Sequence, residues 1–251
     1  MRRVALPLLI AAAVFVAAAL AWLTLTRTVG TGGDVVTEAR AVEPFHRIEL
    51  SGRADVTLLQ GGNERMSVDA SPRAQTRIRA RVENGTLTIG AADSRRWWNA
   101  LLGGRSAALP RITVEFASLD AIALAGAVNL TADRIATPKL RIAASGGSTV
   151  RIGDLDAKAL DLHGTGALKA TLAGHVVDQT ISISGAADVM AAQLASENAE
   201  VDVSGAGNIV VNISKTLRAT ISGAGNIDYF GNPDVKQQVS GVGRVRRRPE
   251  P

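Results

Sequence analysis

The residues able to do chemistry in this chain are few and scattered. There are three histidines, His46, His163 and His175, and no cysteine. No histidine stands at metal-ligand spacing to another. The lack of cysteine removes thiolate catalysis, sulfur-ligated zinc and disulfides. His163 reads as a turn residue in place of a recurrent serine. The acids Asp154, Asp156, Asp161 and Asp202 fall on outward positions or turns. Asp161 and Asp202 are the pair to weigh for a polysaccharide lyase or hydrolase, because parallel β-helices can carry clustered carboxylates. They do not share an offset in adjacent repeats. There is no Gly-x-Ser-x-Gly elbow, and the Gly-x-Gly pairs lack the third glycine and following helix of a nucleotide fingerprint. No catalytic residue, cofactor or metal site is assigned, and the chain reads as a non-enzyme.

Contact chemistry is better represented. Arg95-Arg96-Trp97-Trp98 holds two of the three tryptophans, and Leu101-Leu102-Gly103-Gly104 follows. Arginine beside tryptophan can stack on sugars, meet anionic headgroups or hold a protein. In the other reading both tryptophans fold back over the flank or end of the domain, which would then be a purely structural spacer. The same four residues are the candidate contact surface.

The elements that must position these residues are set by a repeat. Ser204-Gly205-Ala206-Gly207-Asn208-Ile209 returns as Ser222-Gly223-Ala224-Gly225-Asn226-Ile227, with looser copies at 184–189 and 240–245 and more distant ones upstream. First glycines at Gly126, Gly146, Gly164, Gly185, Gly205, Gly223 and Gly241 are 18 to 21 residues apart. Such a period with a glycine corner marks a solenoid. Leu124, Leu162, Ile183, Val203 and Ile221 precede the glycine by two, while Leu130, Val150, Val189, Ile209 and Ile227 follow it by four. Apolar residues at even offsets and polar ones between are the period-2 pattern of strands with one buried face. Small residues at the corner and two beyond it, Gly207 and Gly225 among them, suit a tight inside bend. Stacked coils lie about 4.8 Å apart, so seven would make a rod of about 34 Å. Asn129, Asn208 and Asn226 share one column with Asp188. They either bond from coil to coil as a ladder or satisfy their own turns. The expectation is an all-β, parallel, right-handed β-solenoid of one domain.

The repeated Ser-Gly-Ala-Gly-Asn-Ile motif resembles the auto-transporter adhesin head GIN domain of bacterial envelope proteins. The resemblance also takes in Phe45-His46-Arg47-Ile48-Glu49-Leu50-Ser51-Gly52 with Asp55-Val56, and Asn84-Gly85-Thr86-Leu87-Thr88-Ile89. It implies a parallel β-solenoid over about residues 41–246, and brings no catalytic residue or agreed ligand with it.

The ends differ in character. Met1-Arg2-Arg3 precedes an apolar run from Val4 to about Leu25, an export signal by pattern. Ala19-Leu20-Ala21 fits a cleavage site, yet the run is long enough to remain as a membrane anchor, with the rest exported to the periplasm. Residues 1–25 are therefore read as signal or anchor, 26–40 as a flexible linker, 41–246 as the solenoid and 247–251 as a basic tail. The tail either meets phosphate-rich surfaces or is solvated and blocks stacking of the last coil. The net charge of +5 comes largely from the two ends. This argues against a nucleic-acid groove. The partners expected are the membrane through the N-terminal segment, and an envelope glycan, lipid or protein.

Overall fold

The computed structural model describes residues 35–91 and 109–249. Among these residues the fold is all-β, with one helical turn, α1 (Pro72–Gln75). The signal or anchor, residues 1–25, lies outside the described residues. No helix among the described residues is long and apolar enough to cross a membrane.

The chain winds as a β-solenoid through β7 (Ala121–Gly164), β8 (Ala167–Ile183), β9 (Ala186–Val203), β10 (Ala206–Ile221) and β11 (Ala224–Phe230). Each strand lies parallel on the one before it. The last rung is β12 (Asp234–Val239) on β10 and β13 (Val242–Arg247) on β11. Every rung has a side A before the glycine corner and a side B after it. On both sides the even positions are buried, as with Val201, Val203, Ile209 and Val211. The core is a stack of aliphatic columns with few aromatics, so identical small shapes fit from rung to rung.

The corner column needs glycine because successive rungs touch there. A Cβ on Gly185, Gly205, Gly223 or Gly241 would run into the carbonyl oxygen of the column's residue in the rung beneath. The column holds Gly52, Gly126 and Gly146 at its start, Gly52 facing Gly126. The register corrects one expectation. Gly147 faces Ala167, and Gly164 faces Ile183. Gly166, not Gly164, therefore stands in the corner, where its Cβ would strike the Gly146 carbonyl. Gly164 lies two residues earlier in the inward column, beneath Ile183. Two glycines so close together look alike in sequence, and only the rung below distinguishes them. The shift of two preserves parity, so the assignment of faces is unaffected.

The preceding serine column closes the corner. The amides of Ser204, Ser222 and Ser240 donate to the carbonyls of Ile183, Val203 and Ile221 one rung below. The hydroxyls of Ser204 and Ser240 reach those same carbonyls at 3.2 and 3.4 Å. The register puts Thr165 in this column rather than His163. His163 sits two residues earlier, with its Nε2 2.6 Å from Asp161.

The N-terminal part is woven rather than wound. β2 (Arg47–Gln60) is overlaid by β7 on one edge. Its other edge pairs with β5 (Thr86–Ala91) on side A and β6 (Arg111–Phe116) on side B. β5 and β6 thus form the first rung, although they follow β2 in sequence. β4 (Ile78–Glu83) then covers β5, and β3 (Arg65–Ala70) covers β6, both antiparallel. β1 (Val36–Ala41) pairs antiparallel with β3. Residues expected to be linker are therefore strand from Val36 onward. The edge of β3 offers backbone partners, and the buried Gln75 amide binds the carbonyls of Val36 and Val68, both at 2.6 Å.

Candidate functional site

The contact surface expected at Arg95, Arg96, Trp97 and Trp98 lies outside the described residues. Among the described ones, a hollow runs along side B beside the corner. It is an open trough of about 550 Å³. The first outward position after each corner forms its floor, with Gly147, Ala167, Ala186, Ala206 and Ala224. These side chains are short because a Gly-Gly or Gly-Ala step recurs at these corners, so the floor stays low over several rungs.

The next outward position forms the wall. Thr149 faces Lys169, Lys169 faces Asp188, Asp188 faces Asn208, and Asn208 faces Asn226. Asn129 and Asp55 face each other nearer the N-terminal end. Two links in this column are direct. Asn226 Nδ2 donates to Asn208 Oδ1 at 3.0 Å, and Asn129 Nδ2 donates to Asp55 Oδ1 at 2.8 Å. The asparagines thus bond from rung to rung. The rest of the wall presents a hydroxyl, an ammonium, a carboxylate and an amide to solvent at successive rungs. Gly207 and Gly225 lie one position inside it, facing each other, and keep the wall close to the corner.

A second hollow lies on side A, floored by Ala123, Ala125 and Ala143, with Glu49 and His163 among its lining. Asp161, beside His163, is also 3.9 Å from Arg141. Asp161 and Asp202 do not meet. Asp161 faces Thr180, whereas Asp202 faces Ser182, so they occupy different columns with a rung between them. Among the described residues no group of three histidines or acids is placed to hold a metal ion.

Asp228 is a buried acid on side B of the penultimate rung. Burial works against its charge, but hydrogen bonds from Arg246 and Arg248 and their positive charge outweigh burial and hold its carboxyl below the ordinary value. Arg246 Nε is 3.1 Å from Oδ1 and Arg248 Nε 2.8 Å from Oδ2. The basic tail is therefore docked as far as Arg248, whose amide also donates to the Tyr229 carbonyl at 2.8 Å. The reading of the sequence missed this clamp. The signal was an acid one repeat before Arg246 in the same column, 18 residues away.

A parallel solenoid with a polar-walled trough, and with no catalytic group assembled among the described residues, defines the class as a repeat protein with an extended lateral surface. The chain belongs to the family described as "Putative auto-transporter adhesin, head GIN domain", whose model matches residues 44–233. Solved structures of similar fold include a "putative adhesin" from Bacteroides fragilis, 21% identical, with a TM-score of 0.80 over 86% of this chain and 98% of that one. A "putative lipid binding protein" from Parabacteroides distasonis is 19% identical, with a TM-score of 0.67 over 87% and 98%. A "putative adhesin" from Parabacteroides merdae is 18% identical, with a TM-score of 0.60 over 87% and 98%. No curated protein matches the chain.

Proposed function

We propose that this domain is a non-catalytic binding module of the bacterial cell envelope, exported and tethered or released by residues 1–25. Its side-B trough would take an extended, neutral glycan. The observation that carries this reading is the wall. Donors and acceptors of mixed kind recur once per rung, about every 4.8 Å, above a floor of methyl groups. Lys169 and Asp188 face each other and offset in charge. Such a surface suits a chain of hydroxyls better than an anionic headgroup, which would call for clustered cations. The family's adhesin description and its similar adhesin structures support a contact role.

The test is titration calorimetry with neutral envelope polysaccharides and, separately, with anionic and zwitterionic vesicles. The lipid arm matters because one similar structure is described as lipid-binding. Ala186→Glu fills the trough from its exposed floor without touching the core. It should weaken glycan binding by about tenfold or more, a change of about 1.4 kcal/mol. Glycan binding unchanged by Ala186→Glu, or binding to vesicles alone, would overturn the proposal.

A further inference from the structure

The last rung leaves two strand edges open, as β1 and β4 do at the other end of the described structure. Among the described residues no strand lies on the far side of β12 or β13. The amides of Ser240, Val242 and Arg248 donate down the ladder, to Ile221, Gly223 and Tyr229. Alternate residues of parallel strands point the other way, so the peptide groups of Gly243, Val245 and Arg247 face outward from the edge. The inward column is also uncovered there. Val239 is 41% exposed, whereas Val203 and Ile221, below it in that column, are at most 1% exposed.

Charge decides what such an edge accepts. Lys236, Arg244, Arg246, Arg247 and Arg248 stand on or beside it, against Asp228 and Asp234. A second copy would bring like charges face to face, which disfavours pairing. A lipid headgroup has no row of donors and acceptors to match a strand edge. We propose that the last rung is a docking edge for an acidic, extended polypeptide strand, added alongside β13. Asp228 and Arg246 already pair opposite charges in one column, and a carboxylate from the added strand would extend that pairing. Arg244, which ends the column above Asn226, would take a second carboxylate two residues along. Between them an apolar side chain would cover Val245, which is only partly buried. The partner is thus an acidic–apolar alternation, held by backbone bonds and selected by charge.

The probe is a fluorescent peptide of about nine residues alternating Glu and Val, long enough for one strand. Its control carries Lys in place of Glu. Binding to the full chain is read by anisotropy. The Glu peptide should bind, more weakly as salt rises, and the Lys peptide should not. Arg244→Glu, at an exposed side chain, should weaken binding about tenfold or more. Val245→Pro removes an outward amide and no ladder bond, and should weaken it as much. Lys169→Glu, in the trough, should leave it unchanged, so that failure here is distinct from failure of the glycan reading. Equal binding of both peptides would overturn the proposal, as would binding insensitive to both edge variants. Self-association abolished by Val245→Pro would overturn it in favour of a second copy. Anionic vesicles bound through Arg244 but indifferent to Val245→Pro would overturn it in favour of a membrane.

Discussion

The two ends of the solenoid solve the same problem in opposite ways. A stack of rungs must leave two core cross-sections and two sets of sheet edges to be dealt with. The N-terminal end covers its core cross-section, although β1 and β4 keep open outer edges among the described residues. Two antiparallel strands cap β5 and β6, and Phe45, Met66, Phe116 and Leu119 fill the core there, each at most 3% exposed. The C-terminal end leaves its edges open and its core thinly covered by Tyr229, Val235 and Val245. Inward positions become polar instead, with Gln237 and Arg247 in columns that hold Val201 and Val211 further down. One end is closed by apolar burial and the other is kept soluble by charge. Stability should therefore respond to different mutations at each end.

The largest contrast lies in the core. Phe116→Ala removes a fully buried ring beneath the cap and should cost about 3–5 kcal/mol. Val239→Ala, in the exposed last rung, should cost under about 1 kcal/mol because little burial is lost. Urea unfolding of both variants measures the difference. Similar costs would mean that the open rung is as firmly held as the capped one.

A smaller contrast concerns two glutamines. β2 is threaded between the first rung and β7, so the chain must cross it where β2 itself has turned away. Gln60 fills that gap. Its Nε2 donates to the carbonyls of Ala117 and Ala136 at 3.3 and 2.9 Å, and its Oε1 accepts from the Ala136 amide at 2.7 Å. The side-chain amide takes the place of a missing peptide group in the ladder. Gln60→Leu leaves those backbone groups without partners and should cost about 1–3 kcal/mol. Gln237→Leu at the open end should change stability by less than about 0.5 kcal/mol, since that side chain is exposed.

The same contrast separates what the sequence disclosed from what it concealed. The wound part was legible because each rung repeats its neighbour. Parity of Val201, Val203, Ile209 and Val211 gave the buried face, and Ser-Gly-Ala-Gly-Asn-Ile gave the corner. The choice between Gly164 and Gly166 was not legible, because it is made by the Gly146 carbonyl one rung below. The woven part has no repeat to read. That Thr86–Ile89 lies under Arg47–Leu50, and that β1 lies on β3, are long-range pairings set by tertiary packing rather than by local pattern. In the trough, the asparagine column was visible. Lys169 was not, because a corner at Gly164 rather than Gly166 puts Ala167 in that column instead.

The smallest effect belongs to the charge that holds the open end. Asp228 has a carboxyl held below its ordinary value by Arg246 and Arg248, against the opposing effect of burial. A depressed carboxylate contributes stability that is full above its unfolded value and is lost as pH falls through the folded one. The contribution should therefore be intact at neutral pH and decline only below the ordinary carboxylate range. What is lost is local. Arg248 and Arg246 release, and β13 loosens from β11 while the capped end stays folded. Amide resonances of Val242 to Arg248 should shift and broaden on acidification before those of β2 or β6 do. Asp228→Asn should reproduce that loosening at neutral pH and remove its pH dependence. Were both ends to titrate together, the clamp would be a part of the global fold, and the open rung would owe its position to the β11 ladder rather than to charge.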